Sequence, residues 1–186
     1  RLALADQRVA ILQGALGELV RRTGIPVAAT IMGKSVFPES DPAYIGVYEG
    51  AMGREAVRAY VEASDCIILL GAEMTAMNLG IYTAHIDRGA AIYAARDRVS
   101  VGLHNTYDGI HMEDFIAGLA ARDWPRRTIA PWEHPEHPGA YAATAAPMTV
   151  AALFRQINAF LEDDMIVIAD PGDALELAEP HAAALP

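Results

Sequence analysis

The sequence predicts an α/β protein in which helices cover both faces of a parallel sheet. Short apolar runs alternate along the chain with segments whose apolar residues recur at helical spacing. Continuously apolar strands are typical of a sheet that is covered on both sides. The composition agrees with this fold class, because 53% of the residues are hydrophobic and 20% are charged.

The first predicted elements are a strand and a helix near the amino terminus. Residues 9–12 form a continuous apolar run and are therefore predicted as a strand. Residues 15–22 are predicted as a helix, because Leu16, Leu19 and Val20 fall on one face. A second strand is predicted at 27–31.

Further strands and helices alternate up to residue 121. Strands are predicted at the apolar runs 66–70 and 90–94, with another at 98–103. A helix is predicted at 54–63, where Val57, Tyr60 and Val61 have helical spacing, and another at 112–121, with Met112, Phe115, Ile116 and Leu119 on one face.

A change in composition at Asp123 divides the chain into three parts. Residues 1–122 are predicted as one domain. Residues 123–147 hold five prolines and both tryptophans, and are interpreted as an extended linker because proline disrupts helices and sheets. Residues 148–186 are predicted to begin a second α/β domain, with a helix at 149–162 and a strand at 165–169.

Charge and cysteine content exclude several classes of function. A formal net charge of −10 argues against nucleic-acid binding, which needs clustered lysine and arginine. No apolar run approaches the roughly 20 residues of a membrane span. No leader is recognisable, and the start without methionine suggests a fragment. The single cysteine, Cys66, is predicted to be a buried thiol and suggests a cytoplasmic protein.

The long connection at 24–53 holds the only lysine, Lys34. A phosphate-binding loop would need glycine five residues before the Gly33-Lys34 pair, but Ala28 occupies that position. Ligands of parallel sheets bind beyond the carboxyl ends of the strands, so the loops after Thr30, Leu70 and Ala94 are the candidate positions.

Other candidate sites also have structural interpretations. His134 and His137 have a spacing that a metal could use, but they lack the four ligands of a structural zinc site. The polar segment 104–108 is interpreted as capping a strand or the helix that begins near Met112, with Asp108 as one candidate cap. The residues alone therefore indicate no self-contained active site.

Several motifs nevertheless resemble one enzyme family in order and spacing. They are Gly24-Ile25-Pro26-Val27, Met32-Gly33-Lys34-Ser35, the stretch 44–50, Gly71-Ala72-Glu73-Met74-Thr75, Asn78-Leu79-Gly80 and the stretch 167–175. Together they resemble the thiamine-diphosphate-dependent 2-oxo acid decarboxylases, in the branch of the pyruvate, indolepyruvate and phenylpyruvate enzymes. The resemblance runs from about residue 9 to residue 175.

The resemblance implies a Rossmann-like central domain followed by the start of a diphosphate-binding domain. It also implies thiamine diphosphate and Mg²⁺ in the parent enzyme, a 2-oxo acid substrate and a homo-oligomer, either dimer or tetramer. The residues carried over are Gly172 and Asp173, whose turn would lie against the diphosphate. The sequence departs from the family at Gln13-Gly14, where the connection is short, at Ala76 and at Glu176.

Three functions therefore follow as expectations. The first is a fragment of such a decarboxylase that supports assembly and, by itself, neither binds the cofactor nor releases CO₂. The alternative is a stand-alone module that binds FAD, ADP or NAD through the loops after Thr30 and Leu70. A third is a purely structural assembly domain with exposed apolar patches.

Overall fold

The computed structural model describes residues 2–125, 132, 147–162 and 165. Within them the helices are α1 (Leu2–Thr23), α2 (Glu55–Glu62), α3 (Met112–Ala120) and α4 (Val150–Phe160). The strands are β1 (Val27–Ala29), β2 (Tyr44–Val47), β3 (Ile67–Leu70), β4 (Ala91–Ala95), β5 (Arg98–Val101) and β6 (Asn105–Asp108). None of these helices is long and apolar enough to cross a membrane.

The parallel pair β1–β2 is covered by helices on both faces, as the sequence predicts. Alternate residues of a strand point to opposite faces. Ala29 of β1 accordingly packs with Val20 of α1, whereas Ala28 packs with Val57 of α2. Gly46 of β2 has a φ of 120°, and the register between the two strands shifts at this point. Such a bulge is typical of a glycine within a strand.

The remaining strands form a mixed sheet in the order β3-β4-β5-β6. β3 and β4 are parallel, whereas β4–β5 and β5–β6 are antiparallel hairpins. The α/β class and the parallel strand pairs are confirmed, and the two hairpins add antiparallel strands at one side. α1 and α3 pack together through Leu19 and Ile116, with Leu70 of β3 against them.

The strand predicted at residues 9–12 is wrong, because these residues lie inside α1. A short apolar run has the same appearance in a buried strand and in a helix. The Gln13-Gly14 pair does not interrupt α1, since one glycine costs a helix only about 1 kcal/mol. The apparent shortening of the chain at Gln13-Gly14 was inferred from a strand that does not exist.

Two strands were missed by the sequence interpretation. β2 lies in the stretch 24–53, where Pro38, Pro42 and the glycines indicated a loop. β6 consists of the polar residues that were interpreted as caps. Asp108 accepts a hydrogen bond from Nε of Arg98 across the hairpin (2.6 Å), and α3 begins without a side-chain cap, so the proposed capping role of Asp108 is wrong.

Helix α4 confirms the helix predicted in the third part of the chain, at residues 149–162. Oγ1 of Thr149 accepts a hydrogen bond from the backbone N–H of Ala152 (3.1 Å), which is the expected cap at a helix start. Val150, Leu153 and Phe160 are exposed, so much of the predicted apolar face of this helix is not covered by the described residues. The strand predicted at 165–169 lies outside the described residues except for Met165.

Candidate functional site

Three loops meet at the carboxyl ends of β1, β2 and β3, and we call residues 30–35, 48–54 and 71–84 the carboxyl-end loops. The side-chain oxygen of Asn78 accepts a hydrogen bond from the backbone N–H of Met32 (3.4 Å). Oγ1 of Thr83 accepts one from the backbone N–H of Ala51 (2.8 Å). The loops predicted after Thr30 and Leu70 therefore do come together. The connection after Ala94 is a tight hairpin instead, and the turn after β2 takes its place.

Two glycines allow these loops to approach each other closely. Gly50 and Gly80 both have a φ of 53°. A Cβ at Gly80 would overlap the carbonyl oxygen of Glu49, and one at Gly50 would lie 2.6 Å from Oγ1 of Thr83. Only glycine fits such a left-handed position with so little space. The backbones of the β2 turn and the 71–84 loop are thus in direct contact.

The start of helix α2 beside the carboxyl-end loops carries charges of both signs, because Arg54 is its N-cap residue and Glu55 follows. Helix α2, like other helices, attracts anions at its start. Its first turn carries the carboxylate of Glu55, which pairs with Arg58 at 3.3 Å. A carboxylate at this position already balances the helix dipole and repels a second anion. This carboxylate therefore offsets part of the attraction that the helix dipole and Arg54 would offer a nucleotide diphosphate.

Lys34, the residue that first suggested a phosphate loop, belongs to an internal ion pair. Its Nζ lies 3.2 Å from Oε2 of Glu39, and the side chains of Lys34 and Glu39 are only 13% and 3% exposed. The other oxygen of Glu39, Oε1, has no hydrogen-bond partner among the described residues, and neither does the hydroxyl of Tyr44. Burial, and then the charge of Glu39, raise the pKa of Tyr44. Lys34 thus stabilises a buried carboxylate.

A second polar network centres on Glu62 at the end of α2. Its Oε1 accepts hydrogen bonds from the hydroxyl of Tyr48 and the backbone N–H of His85, both at 3.0 Å. Its Oε2 accepts one from Nε of Arg58 at 3.4 Å. Burial raises the pKa of Glu62, but the hydrogen bonds from His85, Tyr48 and Arg58 together lower it below its ordinary value. Glu62 thus ties α2 to the segment after the 71–84 loop.

We expect Glu62→Gln to destabilise the chain by about 1–2 kcal/mol at pH 7, because it weakens charge-assisted hydrogen bonds, one of them from the buried hydroxyl of Tyr48. A carboxyl group with a lowered pKa stabilises the fold above its unfolded pKa, near 4.3, and loses that effect as the pH falls through its folded pKa. The difference between wild type and variant should therefore shrink below about pH 4.

Urea denaturation at several pH values measures this difference. Glu55→Gln is the matched control, since the Glu55 side chain is 77% exposed in the same helix and its pair with Arg58 contributes little. Equal effects of the two substitutions would show that Glu62 does not tie the two segments together.

A small cavity lies between α1 and the loop after β1. Its volume is about 170 Å³, and its lining includes Gln13, Arg21, Phe37 and Asp41. Sites for drug-sized ligands usually enclose about 300–1,000 Å³. The cavity is too small for a dinucleotide, and Ser35 is the one residue of the carboxyl-end loops that lines it.

Of the remaining candidate residues, one was predicted wrongly and the others lie outside the described residues. Cys66 is exposed rather than buried, because it precedes β3, the edge strand of the mixed sheet. Gly172, Asp173, His134 and His137 lie outside the described residues. Within the described residues, no group of three or more histidine, cysteine or acidic side chains could hold a metal ion.

Comparison with known proteins identifies the family. Residues 2–114, more than half of the chain, match the family model described as "thiamine pyrophosphate enzyme, central domain". The chain belongs to the thiamine pyrophosphate enzymes. The match confirms the α/β fold and the resemblance to thiamine-diphosphate-dependent enzymes, and the alternative of a stand-alone nucleotide module is not favoured.

Individual relatives of this thiamine pyrophosphate enzyme chain are decarboxylases by name. Indole-3-pyruvate decarboxylase of Azospirillum brasilense is 29% identical over 168 residues, which are 88% of this chain and 31% of that protein. Pyruvate decarboxylase 3 of Arabidopsis thaliana is 30% identical over 171 residues, which are 90% of this chain and 29% of that protein. The chain thus spans less than a third of the length of these two relatives.

The described part of the chain does not fit the cofactor that gives the family its name. A diphosphate bound through a metal needs oxygen ligands for that metal and backbone or cationic donors for the phosphates. The described residues contain no group of three or more histidine, cysteine or acidic side chains that could hold a metal ion, and Lys34 is already paired with Glu39. We therefore derive no catalytic step from these residues.

Proposed function

We propose that the chain is the central segment of a thiamine-diphosphate-dependent 2-oxo acid decarboxylase, in which it supports assembly rather than catalysis. The observation that carries this proposal is the kind of side chain that the carboxyl-end loops expose. They occupy the place where parallel sheets usually bind ligands, yet they expose large apolar side chains such as Ile81 and Tyr82. Such a surface suits contact with protein better than contact with a phosphate.

The names of the relatives support the proposed reaction class. They are indole-3-pyruvate and pyruvate decarboxylases. The substrate of the parent enzyme would accordingly be a 2-oxo acid of the indolepyruvate or pyruvate type, or the phenylpyruvate type that the sequence motifs also suggest. The parent would use thiamine diphosphate with Mg²⁺, form a homodimer or homotetramer and act in the cytoplasm. The cofactor would supply the electron sink for loss of CO₂.

The proposal also assigns roles to the carboxyl-terminal part of the chain. Residues 123–147 would link the central domain to residues 148–186, which would begin the diphosphate-binding domain. In that domain the Gly172-Asp173 turn would lie against the cofactor diphosphate, because glycine lets a backbone amide approach phosphate closely. The remaining ligands would come from the rest of the parent enzyme.

Isothermal titration calorimetry of the purified chain tests this proposal. We expect no saturable binding of thiamine diphosphate with Mg²⁺, and none of FAD, ADP or NAD at micromolar concentrations. The complete polypeptide encoded around this segment is the positive control and should bind thiamine diphosphate with Mg²⁺. Saturable micromolar binding of FAD, ADP or NAD to the chain alone would favour the nucleotide module instead.

A further inference from the structure

The cavity between α1 and the loop after β1 is lined by two opposite charges that are not paired with each other. Arg21 of α1 and Asp41 of the loop both line it, and within the described residues no ion pair joins them. The other residues of the lining are uncharged, and they are Gln13, Gly17, Ser35, Phe37 and Pro38. A cavity with one positive and one negative side suits a small ligand that carries both charges.

The guanidinium of Arg21 keeps hydrogen-bond donors for such a ligand. It pairs with Oε2 of Glu18 through Nη2, while its Nε and Nη1 have no acceptor among the described residues. A guanidinium carries its N–H donors in a planar fork that matches the two oxygens of a carboxylate. A ligand carboxylate can therefore bind Arg21 without displacing Glu18.

The carboxylate of Asp41 likewise keeps one oxygen for a ligand. Its Oδ1 accepts a hydrogen bond from the backbone N–H of Ala43 (2.8 Å), whereas Oδ2 has no donor in the described part of the chain. The backbone N–H of Asp41 donates to the carbonyl of Pro38 (3.1 Å), and that of Tyr44 donates to the carbonyl of Asp41 (2.9 Å). These bonds fix Asp41 in its turn, so its free oxygen is already in place to accept from an ammonium group.

The shape of the cavity limits the size of the ligand. Its volume is about 170 Å³, and a cavity of about 150 Å³ accommodates a molecule as large as benzene. Phe37 is only 3% exposed and adds an apolar side. Gly17 keeps the space open, because a Cβ there would meet no atom within 4 Å. Nε2 of Gln13 donates to the carbonyl of Ser35 (3.4 Å) and thereby joins α1 to the loop.

We propose that this cavity is a binding site for a small α-amino acid in its zwitterionic form. The carboxylate of the amino acid binds Arg21, its ammonium group binds Asp41, and a short side chain lies towards Phe37. A ligand of about six non-hydrogen atoms fits the space, and alanine has this size. The site would exist whatever reaction the parent enzyme catalyses.

A titration of the isotope-labelled 186-residue chain with L-alanine, followed through its backbone amide NMR signals, tests the site. We expect saturable shifts at Gly17, Arg21 and Asp41, with a Kd of about 1 mM or below. Pyruvate is the matched ligand, because it has the same number of non-hydrogen atoms and a carboxylate but a carbonyl oxygen in place of the ammonium group. Pyruvate should bind at least about tenfold more weakly, since it offers Asp41 no donor.

Substitutions in the chain locate the binding. Gly17→Leu fills the cavity and should abolish binding of L-alanine, whereas Gly14→Leu, about one turn earlier in α1 and outside the lining, should leave the Kd unchanged. Leucine favours a helix more than glycine does, so α1 should persist in both variants. Asp41→Asn keeps an acceptor for Ala43, and it should weaken the binding of L-alanine at least about tenfold without weakening that of pyruvate.

Three outcomes would overturn the proposal. One is a titration with L-alanine that does not saturate at millimolar concentrations. Another is pyruvate that binds as tightly as L-alanine, which would make the cavity a site for carboxylates in general. The third is binding of L-alanine that survives Gly17→Leu, which would place it elsewhere on the chain. The comparison of the two ligands uses the unaltered chain, so it decides the question whatever a substitution does to the fold.

Discussion

Gly80→Ala should destabilise the chain by at least about 3 kcal/mol and lower its melting temperature by roughly 10 °C. A left-handed conformation costs alanine about 1–2 kcal/mol more than glycine. The new Cβ would also overlap the carbonyl oxygen of Glu49, so the backbones of the β2 turn and the 71–84 loop would have to separate. Thermal unfolding followed by circular dichroism measures the loss.

Gly109→Ala is the matched control for this substitution. Gly109 also has a left-handed backbone, with a φ of 78°, but a Cβ there would meet no atom within 4 Å. Only the conformational cost of about 1–2 kcal/mol should appear. If Gly80→Ala were no more destabilising than Gly109→Ala, the direct backbone contact between the two carboxyl-end loops would be disproved.

Lys34→Met should destabilise the chain by about 3 kcal/mol, because it leaves the carboxylate of Glu39 buried without its cation. The Glu39 side chain is 3% exposed, and its second oxygen has no hydrogen-bond partner among the described residues. The free energy of unfolding from urea denaturation at pH 7 measures the effect.

The double variant Lys34→Met/Glu39→Leu distinguishes an internal ion pair from a ligand-binding lysine. Replacing both partners by apolar residues of similar size is often nearly neutral, so most of the lost stability should return. A Lys34→Met variant as stable as wild type would mean that Lys34 does not stabilise the buried carboxylate. The phosphate-binding interpretation of Lys34 would then have to be reconsidered.

The sequence predicts most elements that have a clear periodic pattern. The strands β1, β3 and β4 and the helices α2 and α3 lie where apolar spacing places them. The strand at 9–12 was wrong because four apolar residues fit a strand and a helix equally well. β2 was missed because Gly46 interrupts its apolar pattern, and β6 because all four of its residues are polar or exposed.

The carboxyl-end loops could be predicted only in part. The loops after Thr30 and Leu70 were chosen from the general rule for parallel sheets, and they do meet. The third contributor, the turn after β2, required knowledge of β2 itself. The ion pair of Lys34 with Glu39 and the contact at Gly80 depend on tertiary packing, which no local spacing in the sequence reveals.

The central claim is that this chain is a non-catalytic segment of a 2-oxo acid decarboxylase. The most direct test measures CO₂ release from indolepyruvate, phenylpyruvate and pyruvate with added thiamine diphosphate and Mg²⁺. The 186-residue chain and the complete polypeptide encoded around it are assayed side by side. We predict release by the complete polypeptide and none by the chain; release by the chain alone, or no release by either, would contradict the claim.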